Sequence, residues 1–118
     1  MTPITIELPW PPTANTYWRR HGSSYFISAK GIAYRRLTCV LAKEWFEHFI
    51  YDARLKVTVW AYPPDRRRRD LDNICKCLFD SLQKARVYDD DSQIDSLTII
   101  RMPERLGKVC VTIEEIVT

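Results

Sequence analysis

Apolar and polar positions in the first half of the chain predict two short strands and one helix. Alternation over residues 4–8 predicts a short half-buried strand that ends at Pro9. The proline- and aromatic-rich segment that follows predicts an ordered loop, closing with a short strand at residues 25–27. Ser28 is a candidate N-cap for a helix. Its predicted core stripe, at helical spacing, is Ala33, Leu37, Val40, Leu41, Trp45 and Phe49.

The second half predicts three strands and a second helix. Period-two spacing over residues 55–62 predicts a strand with Leu55, Val57, Val59 and Ala61 on its core face. The second helix has an apolar stripe formed by Leu71, Ile74, Cys75, Leu78, Leu82 and Ala85. Two further strands, at residues 97–102 and 109–116, are predicted to form a hairpin through PERLGK.

This order of elements predicts an α+β fold. We expect one domain over residues 1–118, with a mixed or largely antiparallel sheet of about four strands and two main helices packed on it. The 118-residue length suits one modest core, and the 46% hydrophobic share argues against disorder. The composition therefore predicts one compact folded unit.

The cysteines and the N-terminus indicate the cellular setting. Cys75 and Cys77 point to different sides of the predicted helix, so the four cysteines are expected to be buried free thiols. No apolar run approaches the roughly 18 residues of a membrane span, and MTPITIELPW lacks the pattern of a signal peptide. We expect a soluble protein in a reducing intracellular compartment.

Charge is concentrated in the stretch DRRRRDLDN, residues 65–73. The net charge is only +3, but Arg66–Arg69 supply four of the 18 basic residues at one place. Asp72, Lys76 and Asp80 follow at i, i+4 and i+8 on the polar side of the second helix. Asp70 can converge with Asp72 only if it lies at or before the helix start with non-helical dihedrals. Carboxylates held there suit Mg²⁺, which takes a few protein oxygens together with water and phosphate.

A second acidic cluster, Asp89, Asp90 and Asp91, follows the helix. Adjacent carboxylates repel one another, and a divalent cation would relieve this repulsion if one or more of them met Asp70 and Asp72. The arginines would then attract DNA phosphates to an otherwise repulsive surface. Lys76 could stabilise charge on a phosphate that reacts there.

Each of these features also has an ordinary structural explanation. A run of arginines is usually a solvated surface, Asp at a helix start is common capping, and Lys76 between two aspartates can be a surface ion pair. Two other motifs fail. An EF-hand loop counted from Asp70 or from Asp89 lacks the required glycine and glutamate, and aspartate-nucleophile phosphatases carry Asp-x-Asp after an apolar strand. Only a site that uses all the charged groups explains them together.

The motifs PPDRRRRDLDN, DDDSQI and LPWPPTAN, the last followed by Tyr17 and Arg19, closely resemble the RusA family of phage and bacterial Holliday-junction resolvases. The resemblance covers essentially the whole chain. It implies a Mg²⁺-dependent homodimeric endonuclease of the bacterial or phage-infected cytoplasm, which cuts two opposed strands of a four-way DNA junction symmetrically. It implies no membrane and no small-molecule cofactor.

By matching position, the resemblance implies roles for individual residues. Asp70, Asp72 and Asp91 would be the catalytic, metal-binding carboxylates and Lys76 the catalytic lysine. Arg66, Arg67, Arg68 and Arg69 would bind DNA, with Arg69 nearest the chemistry. Arg19 and Arg20, beside Tyr17 and Trp18, either bind DNA or lie in a segment that covers the sheet.

One position departs from the family pattern. Arg86 stands where the family usually has a glycine after the second helix. Because glycine there supplies a left-handed cap, the helix end and the DDD loop are expected to shift.

Three alternatives stay open at this stage. The chain could be a catalytically silent junction-binding protein, a nuclease for other branched DNA, or a structural adaptor whose charges only keep it soluble. Mg²⁺-dependent nicking and a preference for branched over linear DNA separate these possibilities.

Overall fold

A computed structural model describes residues 3–44 and 49–117 and has a mixed four-stranded sheet at its centre. The sheet consists of β1 (Ile4–Pro9), β4 (Leu55–Tyr62), β5 (Ile94–Arg101) and β6 (Lys108–Glu115) in the order β1-β6-β4-β5. β6 is antiparallel to both of its neighbours, and β4 and β5 run parallel. The predicted α+β class, with a mixed sheet of four strands and two main helices, is confirmed.

The other elements lie between these strands. They are the short helix α1 (Ala14–Tyr17), a ribbon of β2 (Trp18–His21) paired with β3 (Ser24–Ile27), and the main helices α2 (Ala29–Leu41) and α3 (Cys75–Lys84). Two 3₁₀ helices, Leu71–Ile74 and Asp91–Gln93, flank α3. The predicted strand at residues 25–27 is confirmed, whereas α1 and β2 occur where the sequence predicts a loop. Thr13 caps α1, and its hydroxyl accepts a hydrogen bond from the Thr16 amide.

Strands β1, β4 and β6 alternate between buried and more exposed positions, as their sequences predict. The predicted core face of β4 is buried, while Lys56 is exposed and Thr58, Trp60 and Tyr62 are half-buried on the other face. The apolar positions of β1 and β6 are buried in the same core. The α3 stripe is confirmed as well, because Ile74, Leu78, Leu82 and Ala85 are buried and Leu71 and Cys75 pack against them.

The predicted core face of α2 is wrong. Leu37, Val40 and Leu41 are 40%, 68% and 41% exposed, and Ala33 is exposed too. The α-helix also ends at Leu41, so Phe49 lies outside it, and Trp45 falls outside the described residues. The buried positions are instead Gly31, Tyr34, Thr38 and Ala42.

Hydrogen bonds and close packing explain this choice of face. The Tyr34 hydroxyl donates to the Pro9 carbonyl at 2.6 Å, and the Thr38 hydroxyl donates to the Tyr34 carbonyl at 2.8 Å. Gly31 meets the ring of Tyr17 so closely that a Cβ there would lie 2.6 Å from Tyr17 Cδ1. Polar groups with internal partners and a glycine at a close approach are buried although an apolar pattern does not identify them.

The predicted β5–β6 hairpin is also wrong. β6 enters the sheet between β1 and β4, so β4 separates it from β5. β4, α3 and β5 form a strand–helix–strand crossover, which makes β5 parallel to β4 at the sheet edge. The connection then passes the end of β4, where the Met102 amide donates to the Ala61 carbonyl at 2.8 Å.

The cysteines differ in burial. Cys77 is buried, Cys75 and Cys110 are partly buried and Cys39 is exposed, so the expectation of buried thiols holds for Cys77 alone. Within residues 3–44 and 49–117, no helix is long and apolar enough to cross a membrane.

Candidate active site

Asp70 and Asp72, the helix-start carboxylates, lie where the arginine-rich loop after β4 enters the 3₁₀ helix Leu71–Ile74. Asp70 has extended dihedrals (φ −87°, ψ 134°) and stands at the N-cap, as expected, but its side chain makes no capping hydrogen bond. Both residues are exposed. Their carboxylates are therefore held by the backbone while their oxygens remain available to an external ligand.

The arginine run is organised by Asp65. Arg69 donates to both carboxylate oxygens of Asp65, with Nη2 3.1 Å from Oδ2, and the Arg67 amide donates to Oδ1 at 2.8 Å. These bonds, that from Arg69 foremost, lower the pKa of Asp65 to about 2. Arg69 is mostly covered, with 19% of its side chain exposed, whereas Arg66, Arg67 and Arg68 are exposed. The loop thus holds Arg69 internally and directs the other three arginines outward.

The arginine run and the N-terminal loop form one cleft. Trp10 and Thr13 of the N-terminal loop line a cleft of about 430 Å³ together with Arg68, Arg69, Asp70, Asn73 and Ile74. The motifs LPWPPTAN and DRRRRDLDN, which are far apart in the sequence, therefore meet. This cleft brings a carboxylate and two arginines to one surface.

Lys76 extends from the first turn of α3 toward a second acidic group. Its Nζ lies 3.3 Å from Asp80 Oδ1 and 5.9 Å from the centre of the Trp18 ring. Burial raises the pKa of Asp91, the carboxylates of Asp90 and Asp80 raise it further, and the Lys76 ammonium lowers it. Asp91 therefore lies within electrostatic reach of Lys76 and Asp80.

The three loop aspartates have different environments. Asp90 caps the 3₁₀ helix Asp91–Gln93 by accepting a hydrogen bond from the Ser92 amide at 2.8 Å. Asp89 is exposed, and Asp91 is half-buried with its amide donating to Gln83. The three neighbouring carboxylates therefore differ in exposure and in hydrogen bonding.

Gln93 fastens this loop to the rest of the fold. Its side-chain oxygen accepts from the Asp89 and Asp90 amides, each at 2.9 Å, and its nitrogen donates to the Ala53 and Ile50 carbonyls at 2.9 and 3.3 Å. Gln93 is only 5% exposed. The glutamine of the DDDSQI motif is thus a structural residue that fixes the acidic loop.

Arg86 keeps the left-handed helix end in spite of its side chain. Its φ is 64°, and the Val87 amide donates to the Leu82 carbonyl at 3.2 Å, as in a helix that ends with glycine. The Arg86 guanidinium lies 4.1 Å from the centre of the Phe49 ring, a contact that offsets part of the conformational cost. The expected change in the helix end does not occur.

Within the described residues, the predicted carboxylates do not form one metal-binding cluster. In the described part of the chain, no three His, Cys, Asp or Glu side chains are arranged to hold a metal, so Asp70, Asp72 and Asp91 do not form a closed ligand set. The exposed oxygens of Asp70 and Asp72 nevertheless suit Mg²⁺, which is commonly bound by one or two carboxylates and completed by water and phosphate. These residues fit an open site for a hard cation.

Arg19 and Arg20 lie on β2 and are exposed. The ribbon also exposes aromatic side chains, Tyr25 at 66% and Phe26 at 49%. Arg20 lies 5.8 Å from the centre of the Tyr25 ring. The segment therefore forms a two-stranded ribbon that is separate from the main sheet, with Ile27 packed against the core.

Sequence reasoning underestimated Asp80, Tyr17 and Arg35. Asp80 was recognised only as part of a surface ridge, yet its side chain is 16% exposed and accepts a hydrogen bond from Tyr17 at 3.2 Å. The i, i+4 spacing from Lys76 was the available signal. Its contact with Tyr17, 63 positions away, comes from the tertiary fold.

Exposed carboxylates at a helix start, a basic loop beside them and a nearby lysine are typical of metal-dependent enzymes that act on phosphodiesters. Comparison with known proteins agrees with this class. Residues 9–114 match the family model described as endodeoxyribonuclease RusA.

The chain is 48% identical over 101 residues to the crossover junction endodeoxyribonuclease rusA of Enterobacteria phage HK97, covering 86% of this chain and 84% of that protein. It is 37% identical over 116 residues to crossover junction endodeoxyribonuclease RusA of Escherichia coli (strain K12), covering 98% and 97%. The corresponding protein of Enterobacteria phage 82 is 38% identical over the same length and shares of the two chains. The chain belongs to the RusA family of endodeoxyribonucleases, and the resemblance seen in its motifs is confirmed.

Proposed function

We propose that this chain resolves four-way DNA junctions by Mg²⁺-dependent, symmetric paired incisions. The main observation in support is the cleft in which Asp70 lies beside Arg68 and Arg69. The similarity to crossover junction endodeoxyribonucleases over most of both chains gives the substrate class. Phage and bacterial relatives make the bacterial cytoplasm the proposed place of action.

Two basic surfaces would bind the DNA. Arg66, Arg67 and Arg68 are exposed beside the cleft, and Arg69 is fixed by Asp65 at its edge. Arg19 and Arg20 on the ribbon would bind a second part of the backbone. Contacts of this kind attract phosphates and release counterions, so binding should weaken as salt rises.

Asp70 and Asp72 would hold the cation, with Asp91 as the third catalytic carboxylate. Bound Mg²⁺ would supply Lewis-acid stabilisation of the phosphate and would make water a better nucleophile. The chain contributes orientation and charge: the helix start holds the two carboxylates outward, and the Lys76 ammonium stabilises negative charge that develops on the phosphate. Asp91, within electrostatic reach of Lys76, shares that part of the site.

A homodimer follows from the symmetry of the reaction. A four-way junction offers two symmetry-related phosphodiesters, and an isologous pair of chains presents two identical sites to them. We therefore propose that two copies act together, each cutting one of the opposed strands.

The test compares a synthetic four-way junction with a linear duplex, in Mg²⁺ or EDTA, for the native chain and Asp72→Asn. We expect paired cuts on the junction in Mg²⁺ only. The cleavage rate of Asp72→Asn should fall more than about 100-fold, because losing a direct metal ligand costs more than losing a residue that only supports a ligand. Junction binding should be retained or tighter, since a carboxylate that repels phosphate is gone. Glu7→Gln, which removes an exposed carboxylate on β1, is the matched control.

Cleavage of linear duplex at the same rate would contradict junction resolution. Tight junction binding with no incision by the native chain would instead indicate a structure-specific binding protein. If a folded Asp72→Asn lost binding as well as cleavage, the division between binding arginines and catalytic carboxylates would be wrong.

A further inference from the structure

Asp80 of α3 contacts side chains from both α1 and α2. Its Oδ2 accepts a hydrogen bond from the Tyr17 hydroxyl of α1 at 3.2 Å and lies 4.0 Å from Arg35 Nη2 of α2. Its other oxygen, Oδ1, lies 3.3 Å from Lys76 Nζ on its own helix. One carboxylate oxygen is thus engaged by the interior of the protein and the other by the lysine.

The interior partners of Asp80 are themselves fixed. Tyr17 is fully buried, and Gly31 of α2 packs so tightly on its ring that no side chain would fit between them. Arg35 Nε donates to the Tyr17 hydroxyl at 2.8 Å, and its guanidinium lies 5.6 Å from the centre of that ring. Because Arg35 is the donor in this bond, the Tyr17 hydroxyl hydrogen is directed to Asp80.

The pKa of Tyr17 also supports its hydroxyl as the donor in the bond to Asp80. Burial and the nearby Asp80 carboxylate raise the pKa of Tyr17 to about 12. Tyr17 therefore remains a hydrogen-bond donor through the neutral range. Hydrogen bonds thus connect Arg35 to Tyr17 and Tyr17 to one oxygen of Asp80. The other oxygen is left to accept from Lys76.

An ordinary surface ion pair is not held by hydrogen bonds from the protein interior in this way. A Lys–Asp pair at i, i+4 on an exposed helix contributes about 0.3–0.5 kcal/mol to stability and does not fix the lysine in one position. The pair of Lys108 and Glu7, 3.0 Å apart, is of that kind, because 62% of the Glu7 side chain is exposed. Asp80 differs in being 16% exposed and bound from the interior. The Trp18 ring, whose centre lies 5.9 Å from Lys76 Nζ, restricts the ammonium further.

We propose that Asp80, held by Tyr17 and Arg35, is a positioning residue that fixes the Lys76 ammonium for phosphodiester cleavage. The inference rests on the proposed function, since it assumes that Lys76 acts on the phosphate. Asp80 itself would touch neither DNA nor cation. Its effect on the reaction passes through the lysine.

The experiment measures single-turnover junction cleavage in Mg²⁺, junction affinity without metal, and the acetylation rate of Lys76 by mass spectrometry. We expect Asp80→Asn to slow cleavage at least about tenfold, with affinity within about twofold and severalfold faster acetylation of Lys76. Tyr17→Phe keeps the ring and the Asp80 charge but removes the hydroxyl, so it should slow cleavage about threefold. Glu7→Gln, which breaks a carboxylate–lysine pair on the other face of the sheet, should change none of the three.

The other outcomes would contradict either the positioning role of Asp80 or the proposed function. Wild-type cleavage in Asp80→Asn, or unchanged acetylation of Lys76, would overturn the positioning role. Slow cleavage in Asp80→Asn with native cleavage in Tyr17→Phe would assign the effect to charge alone and also overturn it. Lys76→Ala separates the two levels: full cleavage in that variant would contradict the proposed function, whereas loss in Lys76→Ala beside native Asp80→Asn would contradict this inference only.

Discussion

The helix-start carboxylates and Asp80, which lies further along the same helical segment, have opposite environments. Asp70 and Asp72 are exposed, and Asp70 makes no side-chain capping bond. Asp80 is largely covered, accepts a hydrogen bond from Tyr17 of α1, and forms ion pairs with Arg35 of α2 and with Lys76 of its own helix. The difference teaches that a carboxylate available for an external ligand can be recognised by its lack of internal partners, and a structural one by their number.

The largest contrast should appear in stability. Asp80→Asn should lower the free energy of unfolding by about 1–3 kcal/mol, because the Tyr17 and Arg35 donors lose their charged acceptor. Asp70→Asn should leave it unchanged or raise it slightly, since no internal bond of the side chain is lost. Urea unfolding of the two variants checks this. Equal destabilisation would remove the distinction between the two groups.

A second contrast concerns the arginines next to the helix-start carboxylates. Arg67→Ala with Arg68→Ala should weaken junction binding about tenfold and reduce the slope of log affinity against log salt by about 2, one for each phosphate contact. Binding measured across a salt series checks this.

Lys56→Ala is the control for the arginine variants, because Lys56 is exposed on the sheet face opposite the core. Its salt slope should stay native. A native slope in the double arginine variant would remove those two residues from the DNA surface.

The smallest effect should come from Arg86, which joins α3 to the loop that carries Asp91. Arg86→Gly removes the left-handed strain, whereas Arg86→Ala retains it and loses the contact with Phe49. The glycine variant should therefore be about 1 kcal/mol more stable than the alanine variant. Thermal unfolding of both checks this, and an alanine variant as stable as the glycine variant would show that the conformation carries no cost.

The two main helices show why the sequence predicted the fold unevenly. The α3 stripe was correct because its buried face is mostly apolar, from Ile74 to Leu82. The α2 face was wrong because Gly31 and Thr38 are buried for reasons that periodicity does not register, namely a close approach and an internal hydrogen bond. The β5–β6 hairpin failed for a topological reason, since a six-residue connection fits a hairpin and also a passage across the end of one strand.

The candidate site likewise has features that the sequence predicts and features that it does not. The backbone position of Asp70 followed from local rules for helix starts, and the proximity of Lys76 to Asp80 followed from helical spacing. The tie from Asp80 to Tyr17 and the fastening of the acidic loop by Gln93 could not be predicted, because both depend on residues about 40 to 63 positions away. Local sequence indicates local geometry, and the contacts that fix a site come from the assembled fold.

The ribbon of β2 and β3 has a consequence for how such proteins can diverge. Its two ends are clamped together, since the Ser28 amide donates to the Tyr17 carbonyl at 2.8 Å. The segment between them is therefore an excursion that starts and finishes at one point, beside the helix whose lysine acts in the proposed reaction. Because doubling the length of a flexible loop costs only about 0.6 kcal/mol, this excursion can be lengthened, shortened or exchanged with little penalty to the core. Under the proposed function, the ribbon is the part of the chain where a change of DNA preference would disturb the core least.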